Sequence, residues 1–145
     1  MMCAWKELLS ILPPWLVLEL DRLDKDSLQE VRLRFGQPPQ LVLQNTVRWL
    51  TRPVTTADLD FCINTASRYS PWTAASASDG YITAPGGHRI GICGNMVMCG
   101  NKVTGVRTVR SLCIRVARDF PGIAKQYSGH CGSMLIIGPP GSGKT

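Results

Sequence analysis

The chain has 145 residues, a formal charge of +6, and 44% apolar against 18% charged residues. This is enough for one domain with its own core, and the balance excludes a disordered or low-complexity chain. The apolar run Trp15 to Leu18 is broken by Glu19, far short of the roughly 20 residues a membrane-spanning helix needs. Lys6, Glu7 and Pro13-Pro14 argue against a signal peptide, so the expected compartment is the cytoplasm.

In chain order, Trp5, Leu8, Leu9 and Leu12 follow the spacing of one helical face. Pro13-Pro14 stops that helix and opens a second over residues 14–23, with Leu16, Leu20 and Leu23 inward. Glu30 to Phe35 alternates as a half-buried strand does: Val31, Leu33 and Phe35 toward a core, Arg32 and Arg34 outward. Gly36 to Pro39 makes a turn, Leu41 to Leu43 reads as the paired strand, and Val47 to Leu50 as a third. Thr55 to Asp58 has the hydroxyl cap and early acid of a helix start. Leu59, Cys62, Ile63 and Ala66 supply its apolar stripe, and Pro71 ends it. The Ala/Ser-rich stretch 73–78 reads as either a small helix or a loop.

From Gly80 the character turns to β. Tyr81–Ala84 and His88–Cys93 are joined by Pro85-Gly86-Gly87, and Met96–Cys99 and Lys102–Val106 by Gly100-Asn101, two hairpin signals. Leu112, Ile114 and Val116 alternate in a further strand. The fold class expected is α+β: an N-terminal mixed-sheet domain with helices on one side, over residues 1–118. A connecting segment follows over 119–132. Met134 to Ile137 then reads as a strand buried on both faces, opening a truncated RecA-like α/β ATPase domain over 133–145.

Residues 1–60 carry seven Lys/Arg and eight Asp/Glu; residues 61–145 carry nine Lys/Arg and only Asp79 and Asp119. A basic surface on the second part suits phosphate, nucleic acid or an acidic protein face, or is an ordinary solvated face. The six cysteines form no C-x-x-C pair. Cys93 and Cys99, six apart across an expected strand connection, fit zinc-ligand spacing poorly, so free thiols, most of them packed as small hydrophobes, are expected.

Gly138-Pro139-Pro140-Gly141-Ser142-Gly143-Lys144-Thr145 matches the phosphate-binding loop pattern G-x-x-x-x-G-K-[ST] at every required position. Its glycines let successive N–H groups point at phosphate oxygens. Lys144 supplies a mobile cation for the β- and γ-phosphates, the Thr145 hydroxyl a ligand for Mg²⁺, and a following helix a positive dipole end. The loop binds; hydrolysis needs an acidic strand and a water-orienting residue. No residue of this chain is assigned those roles, and alone it is expected to hold ATP weakly or not at all.

Beyond the loop, the chain resembles the stage III sporulation protein AA family. The stretches that carry the resemblance are Ile11-Leu12-Pro13-Pro14, Glu30 to Pro38, Gly80 to Gly91, Ser111 to Arg118 and the phosphate loop. The resemblance implies an ATPase related to type II and type IV secretion ATPases, with ATP and Mg²⁺ as cofactors. It also implies assembly as a homo-oligomeric ring, often a hexamer in such proteins, with membrane proteins of the mother cell–forespore channel as partners. The expected place of action is the cytoplasmic face of the forespore membrane.

In such rings an arginine outside the loop can stabilise γ-phosphate charge. Arg107, Arg110, Arg115 and Arg118 are candidates, with Arg115 foremost. His88-Arg89 could face a neighbouring subunit or nucleotide, or lie on a solvated hairpin edge. The alternative function is a nucleic-acid-associated ATPase. The basic second half suits it, whereas along the sequence the aromatics do not interleave with the basic residues as a single-strand platform prefers.

Overall fold

A computed structural model describes residues 2–67 and 79–139. Helices α1 (Trp5–Ser10), α2 (Pro14–Leu20) and α3 (Thr56–Ser67) accompany strands β1 (Met2–Cys3), β2 (Leu28–Arg34), β3 (Gln40–Leu43), β4 (Val47–Trp49), β5 (Tyr81–Thr83), β6 (Arg89–Cys99), β7 (Lys102–Arg115) and β8 (Arg118–Asp119). Six strands form one sheet in the order β4-β3-β2-β7-β6-β5, and β1 pairs with β8 in a small second ladder. The architecture is α+β.

The sheet is antiparallel throughout its ladders rather than mixed. Short connections between β2 and β3, β3 and β4, β5 and β6, and β6 and β7 permit only antiparallel pairing, because a parallel pair needs a long crossover. The sole parallel element among the described residues is an isolated bridge between Phe35 and Val54.

One face of the sheet is apolar. Val31 and Leu33 of β2, Leu41 of β3, Ile82 of β5, Ile90 and Ile92 of β6 and Leu112 and Ile114 of β7 are all buried, in one cluster with Leu8, Leu16, Leu20, Leu59 and Cys62 of the helices. Each such side chain, fully buried, contributes about 1.5–3 kcal/mol relative to exposure. Leu23 and Ile63 pack partly buried against the same cluster. Phe35 does not face the core: it is 47% exposed. Strand β2 ends at Arg34, and the Phe35 ring instead lies 5.3 Å from the Arg110 guanidinium.

The cap of α3 follows its sequence. The Thr55 hydroxyl accepts from the Asp58 backbone N–H (3.2 Å) while Asp58 Oδ2 accepts from the Thr55 N–H and hydroxyl (2.8 Å each). The Trp15 indole N–H donates to Asp58 Oδ1 at 2.8 Å and so ties α2 to the same carboxylate. Burial pushes the Asp58 carboxyl up, but these hydrogen bonds and the charge of Arg52 outweigh it, and its pKa lies below the ordinary value. The resulting stability is fully present above the unfolded value near 4 and is lost as pH falls through the lowered folded value. Asp58→Ala is expected to cost about 1–2 kcal/mol at neutral pH and to flatten the acid limb of a stability–pH curve. Urea titrations from pH 2 to 7 check both.

The four β segments expected between His88 and Val116 are two long strands of 11 and 14 residues. Register shifts between Cys93 and Gly94, Asn95 and Met96, and Val97 and Met98 keep the ladder intact across them. Only the lower half of this pair is flanked by other strands. The upper ribbon leaves Met96, Met98 and Val103 exposed. Pro71 and residues 73–78 lie outside the described residues.

Candidate functional site

His88 heads β6 and is completely buried. Its Nδ1 accepts from the Ala117 N–H at 3.0 Å, which places the ring proton on Nε2, where it donates to the Ala4 carbonyl at 2.9 Å. Gly86, at φ +79°, approaches so closely that an added Cβ would lie 2.5 Å from Ala4 Cβ. The Pro-Gly-Gly-His block is therefore a structural staple joining the N-terminal segment to the ends of β6 and β7. It presents His88 to neither a ligand nor solvent, which corrects both sequence expectations for this residue.

Among the described residues no element covers the other face of the sheet, and its side chains fall into rows that the strand register defines. One row runs Trp49–Gln40–Arg32–Cys113–Gly91–Tyr81 from edge to edge; the next runs Val47–Val42–Glu30–Arg115–Arg89–Thr83. A third brings Arg34 beside Ser111 and Cys93. Four arginines thus share a face with one carboxylate. Glu30 pairs with Arg32 at 2.9 Å and accepts a hydrogen bond from the Cys113 thiol. Burial raises the Glu30 carboxyl, yet the hydrogen bonds of Cys113 and Arg32 and the charges of Arg32 and Arg115 prevail, so its pKa is lowered.

Cys113 is moved the other way. Burial first, then the bond to and charge of Glu30, push its thiol up to about 11. It is a protonated donor at neutral pH rather than a nucleophile. The Arg89 guanidinium lies 4.0 Å from the Tyr81 ring centroid. Trp49, on the opposite edge, is 53% exposed. Between them, where Gly91 contributes no side chain, a shallow hollow of about 340 Å³ is lined by Arg32, Arg34, Ser111 and Cys113.

The sequence-expected site residues are placed as follows. Arg115 is exposed on β7 within this open face. Arg118 is engaged in structure: its guanidinium donates to the carbonyls of Asp26 and Leu28. Arg110 stacks on Phe35. Cys93 and Cys99 lie on one strand, not across a connection; six residues of strand put them about 20 Å apart, beyond a shared metal.

Of the phosphate loop, Gly138 and Pro139 are described, in no regular element, and Pro140, Gly141, Ser142, Gly143, Lys144 and Thr145 lie outside the described residues. Met134 to Ile137 form no strand and are exposed, Leu135 at 83% and Ile137 at 84%. A doubly buried strand needs a neighbour on each side, and no described strand pairs with this one.

The sequence reading missed Trp49, Tyr81, Arg32, Arg34 and Arg89 as one constellation. The outward alternation of Arg32 and Arg34 was the available signal. Without the register, nothing joined them to aromatics 17 and 47 residues away from Arg32 and Arg34.

Fold and face together define a small antiparallel α+β domain with helices behind the sheet and an arginine-rich surface in front. Over residues 6–145 the chain matches the family model described as sporulation stage III, protein AA, and it belongs to that family. It is 34% identical over 125 residues to stage III sporulation protein AA of Bacillus subtilis (strain 168), an alignment covering 82% of this chain and 41% of that protein. The chain thus spans less than half the length of the curated relative it matches. No solved structure matches it. Among the described residues no helix is long and apolar enough to cross a membrane.

Proposed function

We propose that this chain is the N-terminal part of an ATP-binding and ATP-hydrolysing motor that powers assembly or transport at the mother cell–forespore channel. In this reading the motor acts as a homo-oligomeric ring docked to membrane proteins at the cytoplasmic face. The observation that carries it is the octapeptide Gly138 to Thr145, complete for the phosphate-loop pattern, in a chain of a sporulation family.

The donor set suits Mg²⁺-ATP. Backbone N–H groups at Gly141 and Gly143 would cradle phosphate oxygens, Lys144 would neutralise the β- and γ-phosphates, and Thr145 would ligate the metal. Bound there, the nucleotide supplies the phosphoryl group whose transfer drives the motor. The exposed apolar run Met134 to Ile137 is suited to burial in a parallel sheet of that motor domain. The domain of residues 1–118 is then accessory to it.

Lys144→Ala in the full natural-length protein is expected to abolish ATP turnover, a loss of at least 100-fold on the order of a removed electrostatic clamp, with the fold intact. A phosphate-release assay alongside circular dichroism checks it. Turnover unchanged in a folded variant would sink the motor reading.

A further inference from the structure

We propose that the open face of the sheet binds a single-stranded polynucleotide, with Trp49 and Tyr81 as stacking surfaces and Arg32, Arg34, Arg89 and Arg115 as phosphate contacts. The proposal goes beyond the motor reading and stands on the sheet alone.

Along the sequence, aromatic and basic residues are separate. Across the strands they interleave. Trp49 and Tyr81 cap opposite ends of one transverse row with Arg32 at its middle, and Arg115 and Arg89 stand adjacent in the next. Five inter-strand spacings separate the two aromatic edges, about 24 Å. That span suits the lower end of single-strand site sizes, roughly four nucleotides.

The charges are available for a partner. Arg34 is exposed, its guanidinium makes no hydrogen bond or ion pair among the described residues, and Glu30 alone offsets four guanidinium groups. No Asp or Glu occurs from Gly80 to Arg118, so β5, β6 and β7 add only positive charge. The hollow over Gly91 lies between Arg32, Arg34 and Cys113 and gives a backbone or base room to approach the sheet. Arg89 already lies on one side of Tyr81, and its guanidinium plane extends the stacking surface.

Other occupants fit less well. A second copy of the chain would oppose four arginines with four arginines. An acidic protein surface would use the guanidinium groups and leave the aromatic edges without a role. A duplex is too stiff to lay unstacked bases on a sheet, whereas a single strand offers base faces and phosphates in alternation.

The test is fluorescence anisotropy of labelled oligo-dT and oligo-U with this chain over a salt series. Four phosphate contacts predict a log K against log salt slope of about −3. Trp49→Ala is expected to weaken binding about tenfold by loss of one stacked base. The double variant Arg34→Gln/Arg115→Gln is expected to flatten the slope by about 1.4. All three positions are exposed, and circular dichroism verifies that the variants fold. The oligo-dT and oligo-U arms distinguish DNA from RNA as the source of the strand. Absence of binding at low salt overturns the proposal. So does equal affinity for duplex, equal competition by polyglutamate, or affinity untouched in both variants.

Discussion

Replacing His88 by alanine is expected to destabilise the domain by roughly 3 kcal/mol, the scale for removing a fully buried ring together with its hydrogen bonds. For a domain of this size that is about a 10 °C fall in melting temperature. The imidazole is completely buried and spans two backbone groups, the Ala4 carbonyl and the Ala117 N–H. Its loss leaves both without that partner and opens a cavity where the N-terminal segment meets the sheet. His88→Gln keeps a donor and an acceptor but on a flexible stem, and is expected to recover only part of the loss. Thermal denaturation of the three proteins measures this; a His88→Ala variant as stable as the parent would remove the staple from the account of the fold.

A second large effect is expected at Gly94. An added Cβ would lie 2.0 Å from the Thr108 carbonyl oxygen and 3.0 Å from Val109 Cα. These are backbone atoms of the paired strand, so no side chain can swing aside. Gly94→Ala must push β6 and β7 apart next to a register shift, and a cost of about 2–3 kcal/mol follows from overpacking. Gly105, on the same ribbon, has nothing within 4 Å of its would-be Cβ, and Gly105→Ala is expected to be neutral. Urea midpoints of the pair separate a close approach from a general intolerance of side chains in the ribbon.

Much of the helical layer and the first three sheet strands is legible in the residues. Leu8, Leu16, Leu20, Leu59 and Cys62 fall on helical periods, and Val31, Leu33 and Leu41 on a period of two, because burial of one face imposes those spacings. The expectation failed where a local pattern depends on a partner. Phe35 continues the alternation of β2, but the strand ends before it. Met134 to Ile137 has the composition of a doubly buried strand, but no described strand flanks it. The long ribbon of β6 and β7 reads as four pieces, with gaps at Gly94-Asn95, at Gly100-Asn101 and over 107–111. Register shifts carry the ladder across the first, pairing continues through the third, and only Gly100, at φ +59°, sits at a turn.

The open face shows the same division. That Arg32 and Arg34 point away from the core follows from the alternation itself. That they meet Trp49, Tyr81, Arg89 and Arg115 depends on hydrogen-bond register between residues as far apart in the chain as Glu30 and Arg115, which no local spacing encodes.

By itself, the sequence determined the α+β class, the cap of α3 by Thr55 and Asp58, the phosphate-loop pattern at Gly138 to Thr145 and the family. All of these are written in local composition or short spacing. The tertiary structure decided that the sheet is antiparallel, that His88 is a buried staple, and that scattered aromatics and arginines form one surface. Each of these depends on which strand lies beside which, and that is set by packing the whole core at once rather than by any segment alone.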